Sequence, residues 1–173
     1  MEFDVIANLR KSIRSFTEQK LNEQQISELK ETILKVPSAK AIFPWRCYFI
    51  TNEEKIATLS KFKGSGSGFI KNAAILIIIT ADTSLSDMWI EDCSIVGTYL
   101  LLKAVDMQLG ACWVQVRNRQ HDDTTSARRF IMDQVDIPES HGIASIIAIG
   151  YPDTKPETRD SRSGMKHKFI DIQ

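Results

Sequence analysis

The chain has 173 residues, 43% of them hydrophobic, and its 22 basic residues balance its 22 acidic ones. This length and composition predict a single globular domain over residues 1–173. A net charge of zero argues against a protein that binds nucleic acid or an anionic membrane through a global electric field. Any anion that the chain binds is therefore expected to be small and held locally.

The chain shows no sign of secretion or of membrane insertion. Its N-terminus has no apolar signal core, and the longest apolar run, Ala73 to Ala81, is too short to cross a bilayer as a helix. Three widely spaced cysteines, Cys47, Cys93 and Cys112, form no C-x-x-C pair and have too few nearby histidines for a zinc site. We therefore expect a cytoplasmic protein with reduced cysteines and no metal.

The N-terminal part predicts two helices. Apolar residues at helical spacing indicate a helix from Phe3 to about Arg10. The second helix lies in NEQQISELKETILKV, where Asn22 and Gln25 form a capping box, and Pro37 ends it.

Buried strands alternate with helices in the rest of the chain. The runs RCYFIT, AAILIIIT, ACWVQVR and GIASIIAIGYP predict strands, and KFIDI predicts a last edge strand. Between them, NEEKIATLSKF and TTSARRFIMDQVDI predict amphipathic helices, and the longest helix begins at Ser86 or Asp87 and stops at Gly110. AAILIIIT is apolar throughout, as expected of a strand covered on both faces. The pattern predicts an α+β fold of three layers.

The stretch LRKSIRSF carries the clearest candidate site. Arg10, Lys11 and Arg14 lie among the hydroxyls of Ser12 and Ser15. Guanidinium groups and hydroxyls supply the charge and the directional donors that a phosphate requires. A solvated basic helix end is the alternative. A second basic group, which could close on the same phosphate or form a solvated tail, comprises Lys155, Arg159 and Arg162.

Other motifs are weaker. GSGSG, Gly64 to Gly68, follows a helix and precedes a strand, which is opposite to a phosphate-binding loop, so a connector is favoured. Glu91 and Asp92 are predicted to offset a helix dipole and make a poor acid–base pair. The histidines are expected in turns or tails and form no catalytic triad; they are His121, His141 and His167.

Five motifs occur in an order that resembles the FMN-dependent nitroreductase family. They are R-K-S-I-R-S-F, V-P-S followed by P-W, E-D-x-S-I at the start of the long helix, L-G-A-C-W, and I-A-I-G-Y-P-D-x-K-P. The resemblance implies an α/β/α sandwich with a mainly antiparallel central sheet. It also implies a homodimer with FMN at the subunit interface, and hydride transfer from NAD(P)H through the flavin to a nitroaromatic, quinone or similar acceptor.

The resemblance also implies which residues bind FMN, while the flavin N5 carries the hydride and no protein residue is catalytic. Arg10, Lys11 and Ser12 would hold the phosphate, with Arg14 reaching the ribityl chain or the flavin ring, and Arg159 would return to the phosphate. Trp113, Val114 and Gln115 would line the isoalloxazine ring. The partner subunit would contribute Lys35, Pro37, Ser38 and Ala39.

The sequence departs from the family pattern at several positions. Ala41 and Phe43 stand where many members have Asn and Gln, so two polar contacts are lost and Phe43 offers an apolar wall. Val116 stands where glycine is common. Only DTSLSD separates a strand from the long helix, which predicts a more open acceptor site.

Two alternatives to the enzyme stay open at this point. One is a flavin-binding or interaction protein with little catalysis on the same dimeric scaffold, and the other is a partner of nucleic acid or membranes through the basic segments. A monomer whose long helix forms the core is the alternative to the homodimer. No motif identifies the acceptor or selects NADH over NADPH.

Overall fold

The computed structural model describes residues 1–154, 165, 168–170 and 172 of the chain. It contains five helices and four strands in the described residues. They are α1 (Phe3–Leu9), α2 (Glu23–Ile33), β1 (Trp45–Ile50), α3 (Glu53–Leu59), β2 (Ile75–Asp82), α4 (Trp89–Asp106), β3 (Gly110–Gln115), α5 (Ala127–Met132) and β4 (His141–Gly150). Two short 3₁₀ helices, Ala39–Ala41 and Gly68–Asn72, lie in the loops before β1 and β2.

The four strands form one antiparallel sheet in the order β1-β2-β4-β3. Strand β2 lies in the middle, with Ile77 opposite Phe49 of β1 and Ile147 of β4. Strand β3 pairs with β4 on one side only, with Gly110 opposite Gly150. Its other side is the outer edge of the sheet in the described residues.

Side chains alternate between the two faces of the sheet, as strand geometry requires. Leu76 and Ile78 point into one core, which α3 and α5 cover together with Phe16 and Phe62. Ile77 and its odd-numbered neighbours point into a second core beneath α2 and α4. Helices on both faces explain why β2 is apolar throughout, and the predicted three-layer α+β sandwich is confirmed.

The helix caps that the sequence predicts are present at α2 and α3, where polar side chains form them. Asn22 and Gln25 make the predicted capping box of α2, and Asn52 caps α3. The long helix begins later than predicted, at Trp89, because the hydroxyl of Ser86 accepts a hydrogen bond from Met88 N in the preceding turn. It ends at Asp106, before the predicted stop.

The predicted last strand, KFIDI, is absent from the described part of that segment. Residues 168–170 and 172 form no strand, and the side chains of Phe169 and Ile170 are exposed. The strand was predicted there from the local sequence alone. In the described residues, no neighbouring strand supplies the hydrogen bonds that an edge strand needs.

Candidate functional site

The basic segment leaves α1 in an extended conformation. Arg10 is the C-cap of α1, and its N–H donates to Ile6 O over 2.9 Å. Further along, Ser12 forms a parallel bridge with Ala111, and Ile13 N donates to Ala111 O over 2.9 Å. The segment therefore lies along the outer edge of β3, at the start of that strand.

Four polar side chains of this region converge on the thiol of Cys112, which is buried in β3. Burial raises the pKa of Cys112, while the charges of Arg14, Lys63 and Arg10 and a hydrogen bond from Ser12 oppose that rise. Alternate residues of an extended segment share one side, which brings positions 10, 12 and 14 together. The structure thus gathers three of the four basic-segment residues predicted from the sequence.

Lys11 lies on the opposite side of the segment. It lines an apolar cavity of about 340 Å³ together with Ile13, Val105 and Leu109. The hydroxyl of Ser15 instead donates to Asp153 over 3.1 Å. Alternation along the extended chain separates Lys11 from the cluster at Cys112, and its contact with a phosphate stays a prediction.

A pocket of about 530 Å³ follows the outer edge of β3. No strand of the described chain pairs with that edge beyond Ala111, so the outward backbone N–H and C=O groups of β3 have no strand partner there. Among the described residues, four cations and no carboxylate line this pocket. Its lining residues are Arg14, Lys63, Gly66, Phe69, Cys112, Trp113, Val114, Gln115, Arg117, Asn118 and Arg119.

The three β3 residues predicted to meet the flavin ring all line this pocket, but their side chains have other partners. The indole of Trp113 packs against Gly97 of α4 and donates from Nε1 to Gln115 Oε1 over 2.9 Å. Gln115 Nε2 donates in turn to Arg117 O over 3.2 Å. Val114 is buried in the core. The part of β3 left for a ligand is therefore chiefly its backbone.

The loop after α2 is tied down by a buried carboxylate. Asp92 of α4 is 1% exposed, and it accepts hydrogen bonds from Ser38 Oγ over 2.8 Å and from Ala39 N over 3.0 Å. Lys35 and Pro37 are exposed beside it. None of these four predicted loop residues lines the β3 pocket of the same chain.

The same loop contains three non-glycine residues with left-handed backbone. Lys40, Ala41 and Phe43 have φ of 52°, 54° and 51°. Such values are uncommon for residues with a Cβ and cluster where the surrounding structure holds them. Here Phe43 N donates to Ser38 Oγ over 2.9 Å, so Asp92 and Ser38 hold the loop together.

The sequence reading of Asp92 missed this contact. Asp92 was expected to offset the dipole of the long helix, and it does lie in the first turn of α4. Its burial and two donors give it a structural role as well, which links α4 to residues 38–39. Local sequence cannot reveal that link, since 53 or more positions separate the partners.

His141 was expected in a turn and is instead 5% exposed at the start of β4. Thr80 Oγ1 lies 3.0 Å from both Arg46 O and His141 Nδ1, so its hydroxyl links β1 to the start of β4. Burial lowers the pKa of His141, and the charge of Arg46 lowers it further. His121 does lie in a turn, where its ring stacks on Phe130.

Lys63, Phe69, Arg117 and Arg119 are pocket residues that the sequence analysis did not select. The guanidinium of Arg14 lies 6.0 Å from the centre of the Phe69 ring. Lys63 comes from the loop after α3, and the other two cations come from the turn after β3. For the two arginines, the only available signal was the sequence R-N-R at the end of the predicted strand ACWVQVR. Arg159 and the rest of the second basic group lie outside the described residues.

Two features are absent from the part of the chain that the structure describes. In it, no three histidine, cysteine, aspartate or glutamate side chains are grouped as a metal site would require. No helix there has the length and apolarity needed to span a membrane.

Comparisons with known proteins agree with this architecture. A family model described as "Putative TM nitroreductase" matches residues 4–171. A protein of Methanothermobacter thermautotrophicus described as "Putative NADH dehydrogenase/NAD(P)H nitroreductase" is 32% identical over 154 residues, which are 87% of this chain and 78% of that protein.

Solved structures extend the comparison to the fold. An "FMN-dependent Nitroreductase" from Clostridium difficile is 32% identical, with a TM-score of 0.91 and 96% of each chain covered. A "putative nitroreductase in complex with fmn" from Desulfovibrio desulfuricans is 17% identical, with a TM-score of 0.77 over 98% of this chain and 95% of that one. The second likeness concerns the fold alone. On the family match and the 32% identical relatives, the chain belongs to the nitroreductase family, as its motifs predicted.

Proposed function

We propose that this nitroreductase-family protein binds FMN in the pocket along β3 and uses it to transfer a hydride from NAD(P)H to a nitroaromatic, quinone or similar acceptor. The observation that carries the proposal is the pocket along the outer edge of β3, which Arg14 and Lys63 line together with Cys112, next to the basic segment that is bridged to Ala111. The names of the relatives support the cofactor and the donor, because they include FMN and NAD(P)H.

The residues of the pocket fit the two ends of FMN. A phosphate monoester carries about −1.5 to −2 charges at pH 7. Arg10 supplies a guanidinium group and Ser12 a hydroxyl donor for that charge and its oxygen acceptors. Arg14 lines the β3 pocket with Trp113 and Gln115 and is proposed to reach the ribityl chain or the ring. Lys11 and Arg159 complete the phosphate contacts that we propose from the family pattern.

At the ring end, backbone groups of β3 give directional contacts without mobile side chains. In the proposed complex, Trp113, Val114 and Gln115 position the isoalloxazine through the strand, and the Trp113–Gln115 hydrogen bond keeps both side chains in place. Bound FMN supplies hydride acceptance and donation at its N5 atom. The protein therefore needs to bind, orient and exclude water, and no side chain has to move a proton between substrates.

We further propose that the chain acts as a homodimer, with Lys35, Pro37, Ser38 and Ala39 reaching the flavin of the partner subunit. The exposed apolar residues around α1 and α4 support a dimer. Helix α1 has no buried residue in the single chain. Phe3 is 68% exposed and Tyr99 36% exposed, and both line a surface cavity of about 440 Å³.

The acceptor side of the pocket is proposed to be open. Only residues 83–88 connect β2 to α4, which leaves no room for a covering helix at that point. Exposed Phe43 would give this side an apolar wall. A complex in which another segment covers the free face of the ring would contradict this part of the proposal.

The test is spectroscopic. The purified protein is titrated with FMN. NADH or NADPH is then added without oxygen, and the flavin absorbance at about 450 nm is followed. We expect FMN to bind and the absorbance of the bound flavin to fall rapidly when NADH or NADPH is added. The absorbance should recover when a quinone is added. Failure to bind FMN in excess at micromolar protein would refute the proposal.

The alternative function makes a different prediction in the same experiment. Ala41 and Phe43 replace polar residues common in the family, which favours a flavin-binding or interaction protein with little catalysis. Such a protein would bind FMN, but NADH and NADPH would reduce the bound flavin negligibly.

A further inference from the structure

A second cavity continues from the β3 pocket and shares cations with it. It has a volume of about 990 Å³, and Lys63, Gly66 and Arg119 line both cavities. Ser65, His121, Asp122 and Asp123 contribute to its walls. The space next to the proposed flavin site is thus large enough for part of a second molecule, and the residues shared by the two cavities, at the passage between them, include the cations Lys63 and Arg119.

The turn after β3 places two arginines at this passage. Arg119 N donates to Val116 O over 3.0 Å, which closes a turn with Arg117 and Asn118 at its centre. Asn118 has a φ of 59°, a left-handed value that asparagine tolerates better than most residues. Both arginines line the β3 pocket and both side chains are exposed to solvent.

The turn is also tied to the segment that carries Lys63. The ring nitrogen Nδ1 of His121 lies 2.8 Å from Lys61 O, and the backbone O of Thr125 accepts from His121 N. Asp122 accepts hydrogen bonds from the amide and hydroxyl of Thr124, which lower its pKa to about 2. These contacts fix Arg119 near Lys63 without using either side chain.

Asp122 and Asp123 also line the second cavity, but no carboxylate of residues 1–154 lies within ion-pair distance of Arg117 or Arg119. Arg128 and Arg129 of α5, by contrast, pair with Glu139. Burial lowers the pKa of Lys63, and the nearby charge of Arg119 adds to this effect. A bound anion would relieve the repulsion between these cations.

The FMN phosphate does not account for this surplus. The cations proposed above for that phosphate, Arg10, Lys11 and Arg159, already balance the charge of about −2 that a phosphate monoester carries. Arg117 and Arg119 follow the other end of β3, after the residues that we propose for the ring. A ligand that reaches the ring from this side and carries phosphates of its own fits the remaining charge.

We propose that Arg117 and Arg119 bind the phosphate groups of the nicotinamide donor at the entrance to the flavin pocket. The inference rests on the proposed function and extends it, since it assigns residues of this chain to donor recognition. Arginine suits this role because its planar fork donates two hydrogen bonds to phosphate oxygens. The donor phosphates come from the pyrophosphate of NADH and NADPH or from the additional 2′-phosphate of NADPH.

The test compares Arg117→Ala and Arg119→Ala with Lys61→Ala, a nearby exposed cation that lines neither cavity. Each FMN-loaded protein is reduced anaerobically by NADPH, NADH and reduced nicotinamide riboside, which has no phosphate. We expect each arginine variant to weaken the apparent affinity for the dinucleotides about tenfold, equivalent to about 1.4 kcal/mol. Because both arginines line the β3 pocket, FMN affinity is measured for each variant; it and the reduction by the riboside should change much less than the dinucleotide affinity.

Calorimetric titration with ADP and 2′,5′-ADP gives a second readout that requires no reduction. A larger loss for NADPH and 2′,5′-ADP assigns the contact to the 2′-phosphate, and an equal loss assigns it to the pyrophosphate. Unchanged dinucleotide affinity in both variants, an equal loss with the riboside, or an equal loss of FMN affinity would overturn the inference while leaving the proposed function standing. A wild-type protein that binds no FMN would overturn both.

Discussion

The indole ring of Trp113 in β3 lies directly on Gly97 of α4. A Cβ built on Gly97 would come within 2.2 Å of Trp113 Cζ3 and 2.7 Å of Cε3, distances that real side chains do not adopt. Because Trp113 also holds Gln115 through Nε1, this contact connects the long helix to the strand that carries the candidate site.

The substitution Gly97→Ala should therefore force Trp113 or α4 to move. We expect the free energy of unfolding to fall by about 1–3 kcal/mol, as for other overpacked cores, and FMN affinity to fall with it. Urea denaturation and FMN titration measure the two effects. Gly68→Ala is the control, because a Cβ there meets no atom within 4 Å. Equal stability of the two variants would contradict the assigned contact.

Replacement of Asp92 by alanine should loosen the loop at residues 38–43. The change leaves Ser38 Oγ and Ala39 N without their buried acceptor, which typically costs about 1–3 kcal/mol. Urea denaturation gives the stability, and limited proteolysis reports opening of the loop. Glu91→Ala, at the exposed neighbouring position, should have little effect. Similar losses in both variants would show that Asp92 is not an anchor.

We predict that the buried His141 makes the free energy of unfolding depend on pH. Burial lowers its pKa below the ordinary 6.5, so the unfolded chain binds a proton more readily than the native one. Its contribution to stability is then present above pH 6.5 and is lost as the pH falls through the lowered value. Urea denaturation of the wild type between about pH 5 and 8 should show this loss.

The matched variant is His141→Gln, which removes the titrating group. It should be less stable at neutral pH because the contact with Thr80 changes, and its stability should vary less with pH over the same range. Carboxylates such as Asp122, with a pKa of about 2, titrate well below this range. An identical pH slope in the two proteins would exclude His141 as the cause.

The exposed apolar surface of α4 predicts that one charge there disrupts the proposed dimer. Tyr99→Glu places a carboxylate in the cavity that Phe3 and Leu102 line. Sedimentation equilibrium should find a dimer for the wild type, a shift toward monomer for Tyr99→Glu, and no shift for Ala57→Glu on the exposed side of α3. A wild-type protein that is monomeric at a concentration of roughly tens of micromolar, where such interfaces saturate, would contradict the proposal.

Much of the fold could be predicted from local pattern. The apolar run of β2, the capping box at Asn22 and the cap at Asn52 each depend on residues a few positions apart, and each element formed as predicted. The start of α4 was misplaced because Ser86, three residues before the helix, accepts a hydrogen bond from Met88 N in the preceding turn. Whether residues 1–173 fold as one domain stays a prediction.

The candidate site was harder, because its geometry depends on pairing between distant segments. The R-K-S-I-R motif indicated an anion site, but the separation of Lys11 from Ser12 and Arg14 arises from the extended bridge to Ala111. The approach of Lys63 to this cluster depends on how the loop after α3 folds back toward β3. His141 was misplaced for the same reason, since only the sheet register brings it to Thr80.

The central claim is that FMN binds along β3 and is held by the side of the basic segment that faces Cys112, which carries Arg10, Ser12 and Arg14. The most direct measurement is the dissociation constant of FMN for the wild type, Arg14→Ala, Lys11→Ala and the control Lys61→Ala. We expect Arg14→Ala to weaken binding at least about tenfold, a loss of about 1.4 kcal/mol, Lys11→Ala to have a smaller effect, and Lys61→Ala to have none. Tight FMN binding that Arg14→Ala leaves unchanged would contradict this assignment.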